Sequence, residues 1–304
     1  MNYQRILENI GQQVQREFGK GKVADYIPAL ARVPPKKFGI TVATVEGDEF
    51  RFGDADEPFS IQSMSKVFAL SLALKLEGAK LWTRVGREPS GNPFNSLVQL
   101  EKERGIPRNP FINAGALVTT DTVVSYDQNA GRTMLEYARH LSQNPALQYD
   151  EEVAMSEKEY GHLNFAMSYF LKSHGNFRCN VEEVLDVYFH QCALAMSCTD
   201  MARAFLHLAN RGISPITGEK LIPARRAKRI NAVMLTCGLY DAVGNFAYRV
   251  GIPAKSGVGG GIVGVIPGVL SICVWSPELD AYGNSRVGSK VLELFTTKTK
   301  LSVF

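Results

Sequence analysis

The sequence has 304 residues, of which 45% are hydrophobic and 21% are charged, and these globular proportions exclude a disordered or fibrous chain. The net charge of +4 is small and scattered, so it does not indicate a surface for nucleic acid. The length allows about two domains or one large one, with room for a buried site.

The first quarter of the chain predicts a helix, a β-hairpin and a second, buried helix. Residues 2–18 place apolar side chains at helical spacing, and residues 38–54 form two β-rich runs around a Glu-Gly-Asp turn. An extended segment, 59–62, leads into a helix predicted over 63–77 and ended by Gly78. Since this helix is apolar on nearly every side, we expect it to run through the interior.

The middle of the chain, from about 113 to 240, has mostly helical patterns. Two of its helices are predicted over 182–196 and 199–211. The second begins with an N-cap at Thr199 or Asp200, because short polar side chains accept hydrogen bonds from the first turn.

The last part of the chain returns to β structure. Short apolar runs at 247–255, 261–266 and 269–275 predict strands, and Pro267-Gly268 predicts the turn between the last two. A final helix is predicted over 284–297.

These patterns together predict an α+β fold in which an antiparallel sheet, flanked by helices, is joined to an all-helical domain. The sheet domain takes residues 1–62 together with 225–304, and the mostly helical domain takes 63–224. A cleft between two such domains is the usual place for an active site.

The strongest chemical feature is an S-x-x-K motif formed by Ser63 and Lys66 at the start of the buried helix. Residues three apart on a helix share a face, so the lysine amine can reach the serine hydroxyl. Burial favours the neutral amine, which is the form that takes a proton and activates the serine as a nucleophile. The motif alone is expected by chance in a chain of this composition, and its position opening the buried helix is what favours catalysis.

A second feature, Lys255-Ser256-Gly257, ends a predicted strand and precedes a glycine-rich turn. The motifs S-x-x-K and K-[ST]-G occur together in one type of serine-hydrolase site, in this order. A backbone N–H near Val258 would complete an oxyanion hole with that of Ser63. A plain turn between strands explains the glycines equally well.

Other features predict no metal, no cofactor and no membrane segment. The five cysteines form no C-x-x-C pair, so we expect free thiols in the reducing cytoplasm, and the five histidines lack metal-ligand spacing. Gly259, Gly261 and Gly264 match G-x-G-x-x-G, but Pro267 follows where a dinucleotide site needs a helix. We find no signal peptide at the N-terminus. A basic cluster, Arg225 to Arg229, is most often a solvated helix face and less often a contact for an anion or a subunit.

At FSIQSMSK (59–66), the chain resembles the bacterial-type serine-dependent glutaminases, which have the β-lactamase/penicillin-binding fold. The resemblance spans nearly the whole chain and rests on further segments: DYIPALA (25–31), NPFINAGA (109–116), SEKEYGHLNFAMSYFL (156–171), the stretch around Tyr188, CGLYDAVGNFAYRVGIPAKSGVGGGI (237–262) and GNSRVGSKVLE (283–293).

The resemblance implies roles for individual residues. It makes Ser63 the nucleophile and Lys66 its base partner. It makes Tyr188 and Tyr240 site tyrosines, with Tyr240 the proton carrier to the leaving ammonia, and Tyr26 a further tyrosine of the pocket.

The resemblance also implies that Asn113, Glu157 and Asn164 hold the amino acid head group and that Val258 supplies a backbone donor to the oxyanion. The residues alone favour other interpretations: a core position for Tyr188, an exposed acidic run for Glu157, and helix ends or turns for the two asparagines.

The function implied is hydrolysis of the side-chain amide of L-glutamine through an acyl-enzyme, without metal or organic cofactor, in a homotetramer or homodimer. Two alternatives stay open. One is a penicillin-type serine acyl transferase or β-lactamase, whose [SY]-x-N triplet has its nearest match in Ser90-Gly91-Asn92. The other is a non-catalytic ligand sensor of the same fold.

Overall fold

The two ends of the chain build one antiparallel sheet in the computed structural model, which describes all 304 residues. Its strand order is β2-β1-β8-β7-β6, and a second, three-stranded sheet has the order β3-β5-β4. The strands are β1 (Gly39–Thr44), β2 (Glu49–Gly53), β3 (Phe59–Ser60), β4 (Gln148–Tyr149), β5 (Leu194–Met196), β6 (Ala254–Ser256), β7 (Gly261–Ile266) and β8 (Leu270–Trp275).

Thirteen α-helices surround and extend this sheet. They are α1 (Tyr3–Gln13), α2 (Pro28–Ala31), α3 (Lys66–Glu77), α4 (Leu97–Lys102), α5 (Asn113–Tyr126), α6 (Ala130–Ser142), α7 (Glu151–Tyr160), α8 (His162–Ser173), α9 (Val181–Cys192), α10 (Cys198–Ala209), α11 (Ala224–Cys237), α12 (Val243–Arg249) and α13 (Arg286–Thr299). None of them combines the length and the apolar character that crossing a bilayer requires.

The large sheet is held between helices from both chain ends and from the middle. Helices α1 and α13 share an apolar core with one face of the sheet, in which Leu7, Leu292 and Phe295 are fully buried. Helix α10 packs against β1, β7 and β8. Burying both faces explains why every residue of β1, β7 and β8 is apolar or small and enclosed.

The two hairpins form where the sequence predicts them. Strands β1 and β2 pair from Gly39 opposite Gly53 to Ala43 opposite Glu49. Strands β7 and β8 pair around the Pro267-Gly268 turn, where Gly268 takes a φ of +80° that a residue with a Cβ rarely adopts.

Helix α3 runs through the interior, as its sequence predicts. All nine residues from Lys66 to Leu74 are buried, and the helix packs against α5 in the largest apolar core. The helix ends at Gly78, whose φ of +63° reverses the chain direction. Its beginning differs from the prediction, because residues 62–65 form a 3-10 turn and the α-helix starts at Lys66.

Two other predicted elements have different bounds in the structure. The run 247–255 contains the end of α12 before β6 begins, since Phe246 and Val250 are buried at helical spacing while Tyr248 is 91% exposed. Helix α9 stops at Cys192, and residues 194–196 form β5.

The cap of α10 is Ser197, neither Thr199 nor Asp200. The Ser197 hydroxyl accepts from the Asp200 N–H, and the Asp200 carboxylate accepts from the Ser197 N–H in return. This reciprocal pair is a capping box with aspartate at the third position. The division into domains at 62/63 and 224/225 stays a prediction, although α10, inside the predicted helical domain, packs on the sheet.

Candidate active site

A cavity of about 310 Å³ opens at the start of the buried helix α3. Seven of the nine predicted site residues line it: Tyr26, Ser63, Asn113, Glu157, Asn164, Tyr188 and Val258. The other two, Lys66 and Tyr240, are buried next to it, and the Tyr240 hydroxyl lies beside that of Ser63. Residues from distant parts of the sequence therefore meet at one place.

Ser63 lies in the 3-10 turn that joins β3 to α3. The preceding residue, Gln62, has a φ of +49°, a left-handed conformation that is unfavourable for a residue with a Cβ. Gly257, at the end of β6, comes so close that an added Cβ would lie 2.5 Å from the Ile61 carbonyl oxygen and 3.3 Å from the Ser63 nitrogen. The last residue of the K-S-G motif is therefore a glycine because the strand end packs against the backbone of the turn.

Two backbone N–H groups at this contact have no acceptor in the protein. The nitrogens of Ser63 and Val258 donate no hydrogen bond, whereas the neighbouring Gly257 and Gly260 nitrogens donate within the turn. Buried backbone donors are rarely left unpaired, so two free N–H groups beside a serine hydroxyl can donate hydrogen bonds to an oxyanion formed there.

Lys66 is completely buried beside Ser63 and forms no ion pair with a carboxylate. Its amine donates to Asn113 Oδ1 at 2.7 Å and to the Phe111 carbonyl at 3.3 Å, and it makes no hydrogen bond to Ser63 in this structure. Burial lowers the pKa of Lys66 from 10.5 to about 8, against the opposing influence of Cys192 and Glu157. A neutral amine has two N–H bonds, which the two acceptors satisfy, and a lone pair that is left to accept a proton.

A second lysine, Lys255 of the K-S-G motif, is also completely buried. Its amine donates to the carbonyls of Gly238, at 3.0 Å, and Ser256, at 2.6 Å, and lies 4.5 Å above the Tyr240 ring. Burial lowers the pKa of Lys255 well below its usual value, and the positive charge of the nearby Lys66 lowers it further. Two buried lysines without carboxylate partners, Lys66 and Lys255, therefore lie close to Ser63 and Tyr240.

Tyr240 is held in a strained position between these groups. Its backbone φ is +51°, and its ring packs against Phe94 with 4.5 Å between ring centroids. Its buried hydroxyl lies beside the hydroxyls of Ser63 and Ser256 and has no well-formed hydrogen bond. Burial raises the pKa of Tyr240 to about 12, so the phenol keeps its proton.

A second group of cavity residues, which forms its polar end, is hydrogen-bonded: Tyr26, Asn113, Glu157 and Asn164. Glu157 is 4% exposed, forms no ion pair with a basic side chain, and accepts a hydrogen bond from the Tyr26 hydroxyl at 2.5 Å. Burial raises the pKa of Glu157, while Tyr26, Gln62 and Lys66 lower it. The Asn113 amide donates to Asn164 Oδ1 at 3.1 Å.

The sequence pattern alone predicted an exposed position for Glu157, and this was wrong. It is buried because α7 turns Ser156 and Glu157 inward and leaves Lys158 and Glu159 exposed. For Tyr188 both interpretations hold, since it is a buried residue of the α9 core stripe and also lines the cavity. Burial and the neighbouring Cys192 thiol raise the pKa of Tyr188 well above its usual value.

Sequence reasoning missed seven further lining residues: Gln62, Phe94, Asn95, Tyr160, Gly161, Leu163 and Cys192. Gln62 accepts from the Tyr26 hydroxyl at 3.3 Å and donates to the Ser60 hydroxyl at 3.0 Å, so it connects the nucleophile turn to the polar end. No periodicity marks these residues, although Gln62 directly precedes the serine.

The Ser90-Gly91-Asn92 triplet does not line the cavity, which removes the support for a β-lactamase-type site. No group of three His, Cys, Asp or Glu side chains is arranged to hold a metal ion.

The chain is similar to glutaminases along its whole length. The glutaminase family model matches residues 21–304. Relatives named glutaminase from Ralstonia nicotianae and Paraburkholderia phytofirmans are 55% and 54% identical to the chain, and each match covers 100% of both proteins.

Solved structures give the same result for the fold. The probable glutaminase YbaS superposes with a TM-score of 0.93 at 35% identity, covering 99% of this chain and 98% of the other. The probable glutaminase of Bacillus subtilis in complex with 6-diazo-5-oxo-L-norleucine has a TM-score of 0.88 at 34% identity, covering 97% and 94%. The predicted resemblance and the α+β, β-lactamase-like fold are confirmed.

Proposed function

The chain belongs to the glutaminase family, and we propose that it hydrolyses the side-chain amide of L-glutamine to L-glutamate and ammonia. One observation carries the proposal. A serine hydroxyl, two free backbone N–H groups, a buried lysine and a carboxylate without a cationic partner surround one cavity. A substrate with an amide at one end and an ammonium at the other matches this arrangement.

The first half of the reaction begins with Ser63. Its hydroxyl oxygen attacks the amide carbon of glutamine while the lone pair of Lys66 takes the hydroxyl proton. Negative charge develops on the amide oxygen and is stabilised by the N–H groups of Ser63 and Val258. The free donors and the lowered pKa of Lys66 support these assignments.

Collapse of the tetrahedral intermediate breaks the carbon–nitrogen bond. Tyr240, whose protonated hydroxyl lies beside Ser63, gives a proton to the departing nitrogen, and the proton held by Lys66 restores the tyrosine. Ammonia leaves and a glutamyl ester remains on Ser63. Water then attacks this ester, and glutamate departs as the serine regains its proton.

The polar end of the cavity holds the amino acid head group. Glu157 pairs with the substrate ammonium, and the hydrogen bond from Tyr26 holds the Glu157 carboxylate in position. The amides of Asn113 and Asn164 and the Tyr188 hydroxyl hold the substrate carboxylate. Because the clamp and the nucleophile are a fixed distance apart, the shorter asparagine reaches only one of them, and we expect glutamine to be preferred.

The decisive experiment measures ammonia release from glutamine by the parent, Ser63→Ala and Ser71→Ala. Ser71 is a buried serine two turns along α3, where it bonds to Tyr137 and not to the cavity, so it controls for loss of a buried hydroxyl. We expect no turnover by Ser63→Ala and turnover near the parent rate by Ser71→Ala. A single turnover without further ammonia would instead indicate a ligand sensor, and equal turnover of asparagine would refute the distance argument.

We also propose a cytoplasmic location and a homotetrameric or homodimeric assembly. Five free cysteines, four of them buried, support a reducing compartment. Symmetric homo-oligomers are the common state of soluble enzymes, which supports the second proposal. Cell fractionation and light scattering test the two statements separately.

A further inference from the structure

A groove distinct from the active-site cavity lies between the 3-10 segment Gly78–Thr83 and α11. It consists of two adjoining pockets of about 550 Å³ and about 110 Å³, which share Ala79, Trp82 and Arg229. None of the residues that line it also lines the cavity at Ser63.

The groove is strongly and asymmetrically charged. Four arginines line it, Arg87, Arg225, Arg226 and Arg229, against a single carboxylate, Glu88. None of these four guanidinium groups forms an ion pair. Unpaired guanidinium groups that converge on one concave surface attract a multiply charged anion.

The charge is concentrated at one end of the groove. The smaller pocket is lined by Arg225 and Arg226 and shares Arg229, so three guanidinium groups surround it. Guanidinium groups bind the oxygens of phosphate in a planar, bidentate manner, which favours phosphate over a monovalent anion.

The larger pocket has a different lining. It contains Trp82, Pro89, Ala232 and Val233, and the Arg87 guanidinium lies 5.5 Å from the centre of the Trp82 ring. Its volume exceeds what a bare phosphate needs, and an aromatic ring beside a flat cation is a surface on which a planar base stacks. The Trp82 side chain is partly exposed to the groove.

We propose that this groove binds a nucleoside phosphate, with the phosphate between Arg225, Arg226 and Arg229 and the base against Trp82. Trp82 lines both pockets, so an aromatic surface adjoins the three guanidinium groups, and this combination fits a ligand that has both a base and a phosphate. The basic cluster on α11 is then one wall of a binding site and more than a solvated face.

Titration of the protein with AMP and ATP, followed by calorimetry and by tryptophan fluorescence, tests the proposal. Adenosine and inorganic phosphate are the two comparison ligands, because each supplies only one half of the proposed contacts. The second tryptophan, Trp275, is 2% exposed, so a change in fluorescence that is lost in Trp82→Phe reports this groove. We expect a nucleotide to bind more tightly than adenosine and inorganic phosphate, and its binding to weaken with added salt.

The matched variants are Arg225→Gln with Arg229→Gln, compared with Arg5→Gln on α1, an exposed arginine that also lacks an ion pair. We expect the double variant to lose roughly 10-fold or more in affinity for the nucleotide, and Arg5→Gln to bind as the parent does. Inorganic phosphate binding as tightly as nucleotide would overturn the assignment to a nucleoside. Absence of nucleotide binding, or equal affinity in the double variant and the control, would overturn the site itself.

Discussion

The two buried lysines of the active-site cavity have different surroundings from its buried glutamate. At the nucleophile end, Lys66 and Lys255 are enclosed with only neutral oxygen acceptors, so loss of solvent lowers the pKa of both amines. Burial also raises the pKa of Glu157 above its usual value, and the hydrogen bond that it accepts from Tyr26 offsets only part of this shift. Burial thus favours the neutral form of all three groups, and only Glu157 has a hydrogen-bond partner that favours its charged form.

Hydrogen-bond partners therefore modify an effect that burial dominates. An amine that donates only to carbonyl and amide oxygens has no neighbouring negative charge bonded to it that would hold its extra proton. A carboxylate that accepts from a phenol has a donor that stabilises its charge. Variants that remove one group from each end separate these two effects.

The largest expected effect follows from removing the base. Lys66→Met keeps the length of the buried side chain and removes the amine, so Ser63 loses its proton acceptor. We expect kcat to fall by at least about 10³-fold. Lys75→Met, at an exposed position of the same helix, is the control and should keep the parent kcat. A kcat of Lys66→Met within tenfold of the parent value would contradict the assignment of Lys66 as the base. A tenfold change in rate corresponds to roughly 1.4 kcal/mol in the activation free energy.

Removal of the proposed proton donor comes next. Tyr240→Phe keeps the ring between Phe94 and Lys255 but removes the hydroxyl beside Ser63. We expect kcat to fall about 10²-fold with KM little changed, because the hydroxyl acts on the leaving nitrogen. Tyr248→Phe, at a tyrosine that is 91% exposed, serves as the control. A change in KM alone would assign Tyr240 to substrate binding.

Glu157→Gln changes the other end of the cavity. The amide keeps the size of the side chain but cannot offer a negative charge to the substrate ammonium. We expect kcat/KM for glutamine to fall by roughly 10- to 100-fold, mainly through a higher KM. This is the size of effect expected when a hydrogen bond to a charged group is lost. Glu159→Gln, exposed on the same helix, should behave as the parent. Unchanged KM in Glu157→Gln would refute the head-group assignment.

The smallest effect is a dependence on pH that distinguishes the two ends. Lys66 is active only when neutral, and burial lowers its pKa from 10.5 to about 8. Below this pKa the neutral fraction falls as pH falls, so kcat/KM should decline about tenfold per pH unit there and level off above it. The decline should persist in Glu157→Gln. Its disappearance in that variant would assign the titration to the carboxyl group.

Much of the fold was predictable because local patterns agree with tertiary structure. The continuous apolar character of α3 indicated a buried helix, and the turn residues Pro267-Gly268 placed the β7–β8 hairpin. The segment 247–255 was misassigned because its β-rich composition hides the helical spacing of Phe246 and Val250. The small sheet β3-β5-β4 was missed because strands of two or three residues have no measurable period.

The chemistry of the site was predictable only in part. The pair Ser63 and Lys66 was predicted from its spacing, which places both side chains on one helix face, and from its position at the start of an apolar helix. The left-handed Gln62, the contact of Lys255 with the Tyr240 ring and the presence of Cys192 in the cavity depend on segments far apart in the sequence. Spacing carries no information about such contacts.

Identification of the residue that becomes covalently attached to substrate tests the central claim most directly. The enzyme is treated with 6-diazo-5-oxo-L-norleucine, the glutamine analogue found with the Bacillus subtilis relative, and the labelled peptide is mapped by mass spectrometry. We predict one label per chain, on Ser63, and none on the Ser63→Ala protein. A label on Cys192, the thiol that shares the cavity, or undiminished labelling of Ser63→Ala would contradict the account.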